Sequence, residues 1–356
     1  LLARTGNINT DPYNALPVGA GPFKYVRWQR GDHIELAANP AYWRGRPKLA
    51  RIVYRIIPNR DTLLAALQTG DIDLWPAAAP AYYERAKAIA GFTVIRQSSY
   101  AYSHLDFNLT RANVADRTVR KALELALDRR AQRDKIAHGI GVLQDAYVSP
   151  AAPFYDRSLG FTGYDPVKAS AMLDAAGWKR GSDGIRAKGG VRLSIDLVSN
   201  TGSPDTDRRI ELIRQGWQRI GVALVRKNVS SALLFAPYAD GGIIYTGKFD
   251  VVFFAWYPTG SLSPADAYSC RAIPPQGQND MHWCDREAQT AIDDFLTTYS
   301  PARQRNDSFA VQTRLVSDVP TIVTAIAEDL FVESRGLRGF HPNQVTFFDA
   351  MMSVDI

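Results

Sequence analysis

The chain has 356 residues, 46% of them hydrophobic, with 42 Lys and Arg against 36 Asp and Glu, a formal net charge of +6. That length can bury more than one core, so two lobes are expected, and no run of 18 apolar residues offers a bilayer span. The positive charge is spread along the sequence, with no Lys/Arg cluster alternating with aromatics and no zinc-ligand spacing. It reads as ordinary solvation, without nucleic-acid binding.

The first strong pattern starts at Gly19. Gly19, Gly21 and Pro22 form a turn element that opens onto Phe23-Lys-Tyr-Val-Arg-Trp28, where apolar and polar residues alternate in part. Arg30-Gly-Asp32 is a turn, His33–Ala37 a second strand closed by Asn39-Pro40, and 51–57 a third. Leu1-Leu-Ala-Arg4 is too short for a signal-peptide core. With no initiator Met and a sheet this near the first residue, a preceding segment is expected outside this sequence.

Asn59 caps a helix carrying Leu63, Leu64 and Leu67 that stops at Gly70. A short strand at 71–75, a short helix at 82–89 and strands at 93–96 and 103–108 follow. Val119, Ala122, Leu123, Ala126 and Leu127 then hold a 3.6-residue period, with Arg117, Arg120, Lys121 and Glu124 outside it. A second helix is expected near 130–137. Residues 145–165 are rich in Pro, Gly and aromatics and too long for a tight connector, so they are expected to pack against other parts. Asp165-Pro166 opens a helix that Gly177 ends.

Strand (191–198), helix (205–220), strand (222–226), short helix and strand (249–256) then alternate, the signature of an α/β fold. The last strand is apolar enough to be central. Two helices (285–298 and 301–316) and a strand (321–327) complete the reading. Cys270 and Cys284, the two cysteines, bracket a loop rich in Pro, Gln, Gly and Asn. A disulfide there closes a loop of about 15 residues, worth roughly 3 kcal/mol by chain entropy, and implies an oxidising compartment. Free cysteines in a cytosolic protein are the alternative.

Several segments taken in order resemble one family. They are Pro17-Val-Gly-Ala-Gly-Pro-Phe-Lys-Tyr25, Asn39-Pro-Ala-Tyr-Trp43-Arg-Gly-Arg-Pro, 57–73 and Leu105-Asp-Phe-Asn108. The helix 116–129, the pieces 164–169 and 173–177, and Trp217-Gln-Arg-Ile-Gly-Val222 continue the match nearly end to end. The sequence is similar to extracellular solute-binding proteins of family 5, the peptide-, nickel- and opine-binding components of ABC importers. The resemblance implies a two-lobed, periplasmic binding protein-like II fold with central mixed sheets. It places 1–105 with 331–356 in one lobe and 106–330 in the other, and implies that the first part of the large lobe and a small extra domain precede this sequence. It further implies a monomer at the periplasmic or extracellular face of the membrane that delivers a small molecule or short peptide to permease subunits, with no cofactor.

The ligand is expected at 253–261, where an apolar strand breaks into a turn, the usual crevice position in open α/β sheets. Trp256 and Tyr257 offer stacking surfaces, with Phe254 and Thr259 beside them; a core tryptophan at a strand end is the plainer alternative. Asn108, Tyr100 and Tyr102 are further candidates. Peptide binders of the family place an aspartate three residues beyond this tryptophan, where it meets the ligand's α-amino group. Here that residue is Thr259, which cannot replace a buried carboxylate opposite an ammonium. Asp266 is a possible substitute, and opines, sugars and metal chelates gain weight as ligands.

The five histidines share no metal-ligand spacing. A hydrolase is disfavoured: no Gly-x-Ser-x-Gly elbow occurs, and nothing in the sequence fixes the separation of Asp250 and Asp266 as a carboxylate pair. A chaperone-like or structural role is the remaining alternative.

Overall fold

A computed structural model describes residues 11–258, 262–344 and 348–356. The chain divides into two compact units, Leu1–Gln97 with Asp329–Ile356, and Ser98–Glu328. In the first unit β1 (Phe23–Gln29), β2 (His33–Ala38) and β3 (Arg51–Arg55) form an antiparallel meander. A bulge between Tyr25 and Arg27 interrupts the register and turns Val26 out to 48% exposure, which is why the alternation in β1 is only partial.

Asn59 Oδ1 accepts from the Asp61 and Thr62 amides to start α1 (Arg60–Thr69), and Gly70 ends it at a φ of 78°. The strand expected at 71–75 shrinks to β4 (Leu74–Trp75), and α2 spans Tyr83–Lys87. Phe331, Phe340, Met351 and Val354 make this unit's core with Phe23, Ile52 and Leu74.

The two strands expected at 93–96 and 103–108 are one, β5 (Phe92–Phe107). In the second unit α3 (Ala112–Ala115), α4 (Arg117–Leu125), α5 (Arg129–Lys135) and α6 (Pro166–Ala175) come next. A small antiparallel sheet, unanticipated from the sequence, follows as β6 (Lys179–Arg180), β7 (Arg186–Lys188) and β8 (Val191–Arg192). Gly189 and Gly190 both have positive φ, as its tight hairpin turn requires. The single strand read at 191–198 is therefore divided, and β9 runs Ser194–Asn200.

The chain continues through α7 (Pro204–Arg219), β10 (Ala223–Val229), α8 (Ser231–Leu234), α9 (Ile243–Thr246) and β11 (Val251–Trp256). It ends this unit with α10 (Ala265–Tyr268), α11 (Arg286–Thr297), α12 (Pro301–Asp318) and the first part of β12 (Thr321–Ser334). The strands line up as β10-β9-β11-β5-β12. β10 and β11 are parallel to β9, and β11 is antiparallel to β5.

One face of this sheet is covered by α4 and α7: Leu105, Phe107, Val251 and Phe253 pack with Leu123, Ile213 and Trp217. The helices sit very close. The Trp217 indole donates to Leu123 O at 3.1 Å, and a Cβ on Gly216 would fall 2.1 Å from Ala126 O, so glycine is the residue that fits there. The opposite face packs α11 and α12 through Ile292, Val311 and Leu315, together with Tyr102 and Trp283.

Two polar residues read as lying outside the α4 stripe are buried. The Arg120 guanidinium donates to Val319 O (2.9 Å), Val114 O (3.0 Å), Ala115 O (2.7 Å) and Asp318 O (2.8 Å), closing the corner between α12 and β12. Arg129, also buried, binds Asp145 at 2.6 Å, Val323 O at 2.8 Å and Thr162 O at 2.8 Å. Its guanidinium also lies 4.4 Å from the Phe161 ring centroid. These bonds fasten the long 145–165 segment, whose irregular backbone finds its partners in this way.

Glu124 is the second, with Lys121 Nζ 3.7 Å away. Burial, reinforced by Asp145, lifts its carboxyl from 4.5 to about 7. Between those values the native chain holds a proton that the unfolded chain has released, so this group's contribution to stability is greatest in acid and falls as pH rises to 7. Glu124→Gln is expected to remove that slope, gaining on the order of 3 kcal/mol on the wild type between pH 4.5 and 7. Urea melts across that range check it; parallel profiles for the two proteins contradict it.

Candidate functional site

The antiparallel register of β5 with β11 sets Trp256 opposite Tyr102, Phe254 opposite His104 and Val252 opposite Asp106. Alternation along both strands sends these six to the face away from α4 and α7. At the carboxyl end of β11 three of them, Tyr102, Phe254 and Trp256, border a cavity of about 430 Å³. Tyr100, Tyr102, Phe254, Trp256 and Tyr257 line it, joined by Tyr147 and Tyr268. Ser149, Ser263, Asp266 and Gln278 add the polar groups, Asp266 being the one carboxylate among the described lining residues.

The rings interlock. Tyr147 and Tyr268 are 4.6 Å apart between centroids, Tyr102 and Tyr147 6.1 Å, and Phe254 and Trp256 6.3 Å. The Tyr102 and Tyr268 hydroxyls share a 2.8 Å hydrogen bond. Burial raises the phenols of Tyr102, Tyr147 and Tyr268, so all three stay neutral and hydrogen-bonding. Trp256 is half-buried, packed on the core to one side and lining the cavity on the other.

Beneath the tyrosines lies a buried polar row. His104 Nδ1 is 2.7 Å from Asp106 Oδ1, and the His104 ring centroid lies 4.2 Å from that of Phe254 with the planes tilted by 57°. Burial and the neighbouring Asp106 hold the Asp280 carboxyl well above the usual range, which favours its neutral form. His104, Asp106 and Asp280 support the cavity floor without lining it.

Of the residues singled out from sequence, Tyr102, Phe254, Trp256 and Tyr257 come together here. Asn108 does not line this cavity. It is buried in the turn after β5, where its amide donates to Gly247 O at 3.0 Å and its oxygen accepts from the Thr110 amide (3.1 Å) and hydroxyl (2.7 Å). Thr259 lies outside the described residues. Asp250 binds Arg111 at 2.9 Å and the Asp196 amide at 3.0 Å, and lines a different cavity from Asp266. Among the described residues, no three His, Cys, Asp or Glu side chains gather as a metal site.

Tyr147 and Tyr268 were not picked out from sequence, because an aromatic inside an irregular segment has no period to reveal its direction. The cysteine pair is a disulfide with Cα atoms 4.8 Å apart. Its loop supplies Gln278 to the cavity and Asp280 to the floor, braced by Asn279 Nδ2 on Ser269 O (2.9 Å) and Trp283 O (2.7 Å).

An aromatic-lined cavity at the carboxyl end of a strand in an α/β sheet is a usual place for a small ligand, and the sequence comparisons give the family. The chain belongs to the bacterial extracellular solute-binding proteins, family 5, whose middle-region model matches residues 3–276. It is 31% identical over 333 residues to the oligopeptide-binding protein AppA of Bacillus subtilis, covering 92% of this chain and 60% of that protein. The chain thus spans about three-fifths of that relative's length.

Among solved structures, a putative peptide-binding protein AppA from Clostridium difficile superposes with a TM-score of 0.85 at 22% identity, over 98% of this chain and 70% of the other. NikZ from Campylobacter jejuni, solved with Ni(L-His), superposes at 0.79 and 22% identity, over 100% of this chain and 72% of the other. The fold is the mixed α/β fold of the periplasmic binding proteins. No described helix is long and apolar enough to cross a membrane.

Replacing both Cys270 and Cys284 with Ser is expected to lower stability by roughly 3 kcal/mol, the loop-closure value. Denaturant unfolding of the double variant measures this. A change within error of zero would show that the loop is held by Asn279 and its neighbours alone.

Proposed function

We propose that this protein binds a small solute, an oligopeptide or a related compound, in the cavity between Trp256 and Tyr268. It then delivers that solute to the permease of an ABC-type importer at the periplasmic or extracellular face of the membrane. The observation that carries this reading is the cavity itself. Its volume of about 430 Å³ is in the range of small-ligand sites, and its wall is mostly ring surface with a few polar groups to orient a guest. Membership of the family and the disulfide, which suits an oxidising compartment, support it.

The walls work by desolvation and stacking. Neutral tyrosine hydroxyls and Gln278 supply hydrogen bonds without a net charge, and Asp266 is placed to meet a cationic group. A second reading, a non-peptide solute such as an opine, a sugar or a metal chelate, is favoured by one feature. Residue 259, where the family's peptide binders carry an aspartate, is Thr.

A solute that binds the native chain must raise its melting temperature saturably. A panel of short peptides, opines, sugars and metal chelates is expected to contain at least one such compound. Trp256→Ala is expected to weaken its binding about tenfold or more while leaving the far-ultraviolet circular dichroism unchanged. Unchanged affinity would remove Trp256 from the site, and no shift with any class would contradict the transport reading.

A further inference from the structure

The net charge of +6, read from the sequence as spread along the chain, is concentrated in one stretch. Residues 23–60 hold nine Lys and Arg against two acids, Asp32 and Glu35, an excess larger than that of the whole chain. The β1–β3 sheet gathers part of this charge on one side. Its register forms the rows Lys24–Ala37–Arg51, Arg27–Glu35–Val53 and Gln29–His33–Arg55. These rows share a face, and Lys24, Arg27, Arg51 and Arg55 are all exposed on it. The opposite face, with Phe23, Tyr25, Leu36 and Ile52, is half-buried.

The loop from β2 to β3 leaves the sheet beside Lys24 and re-enters at Arg51, and Arg44, Arg46 and Lys48 are exposed along it. Its Trp43 is 79% exposed, with the Arg44 guanidinium 5.5 Å from the ring centroid. Both acids of the stretch are already engaged. Asp32 lies 2.9 Å from His33. Glu35 takes Arg27 at 2.9 Å and Arg51 at 3.2 Å, which leaves Lys24, Arg46, Lys48 and Arg55 without an ion pair among the described residues. Cations on outer strands of a three-stranded sheet stand about 10 Å apart, near the Debye length at 0.1 M salt, so they repel one another. A face about 20 Å long and 10 Å wide is flat, with no enclosed seat to select a small anion. It suits an extended negative surface, and an exposed tryptophan beside it suits the boundary between water and lipid.

We infer that this basic face of the β1–β3 sheet, with the loop that carries Trp43, docks on an anionic phospholipid surface. The surface belongs to the first unit and shares no residue with the solute cavity, so it goes beyond the solute-binding reading. Lipid headgroups supply the anions that the sheet lacks, and the Trp43 indole enters the headgroup layer.

Co-sedimentation of the whole chain with vesicles tests it. Phosphatidylcholine vesicles containing about 30% phosphatidylglycerol are expected to bind about tenfold or more better than phosphatidylcholine alone, and about 0.5 M salt should remove the difference. The combined variant Lys24→Gln, Arg46→Gln, Lys48→Gln and Arg55→Gln should lose about tenfold or more of that binding at unchanged melting temperature. A matched set of exposed cations in the second unit, Lys168→Gln, Lys179→Gln, Lys188→Gln and Arg305→Gln, should keep it within about twofold. No preference for phosphatidylglycerol, or equal losses in the two variants, overturns the inference. Retention on polyglutamate without vesicle binding also overturns it and gives the face to an acidic protein partner. None of these results bears on the solute cavity, which the melting shift tests separately.

Discussion

Period-two alternation in the antiparallel pair β5 and β11 sorts the side chains on which everything else rests. Leu105, Phe107, Val251 and Phe253 go to one face and into the core with Trp217. Tyr102, His104, Asp106, Phe254 and Trp256 go to the other. Slipping this register by one residue would put Asp106 in the hydrocarbon core and Leu105 under the cavity, so the core itself holds the site in place. The same alternation separates the polar row His104, Asp106 and Asp280 from the apolar layer. Aromatic rings cover that row on the cavity side, and burial with the adjacent Asp106 favours the neutral form of Asp280, which eases the repulsion between the acids.

Polar burial recurs through the second unit for one reason: irregular backbone needs donors. Arg120 and Arg129 spend their nitrogens mostly on main-chain carbonyls, fastening the corner at Val319 and the long segment that carries Tyr147. Removing either arginine would strand several acceptors at once. The disulfide does comparable work for the loop that brings Gln278 and Asp280 to the site.

Much of this was legible in the sequence where a local rule decides the outcome. The Asn59 cap, the Gly70 stop, the Asp165-Pro166 helix start and the apolar face of α7 all appear where residue chemistry places them. The stretch ending at Trp256 points to a crevice because a strand breaks there. What escaped depends on long-range partners. Arg120 and Glu124 look solvent-facing by charge, and the carbonyls of Val114 and Ala115 together with those of distant Asp318 and Val319 make room for the arginine inside. The small sheet at 179–192 consists of strands of two or three residues, too short to carry a pattern. Tyr147 and Tyr268 meet across more than a hundred residues of chain, and no spacing announces that contact. Asn108, read as a possible ligand contact, is buried after β5, its oxygen accepting from Thr110 and its amide donating to Gly247 O.

The central claim is that the face of β5 and β11 turned away from α4 and α7 holds the solute. A crystal structure of the chain with a solute that raises its melting temperature tests this most directly. The account predicts that solute's density against the Trp256 indole, bordered by Tyr102, Tyr147 and Tyr268. The solute bound elsewhere, with only solvent between those rings, would contradict it.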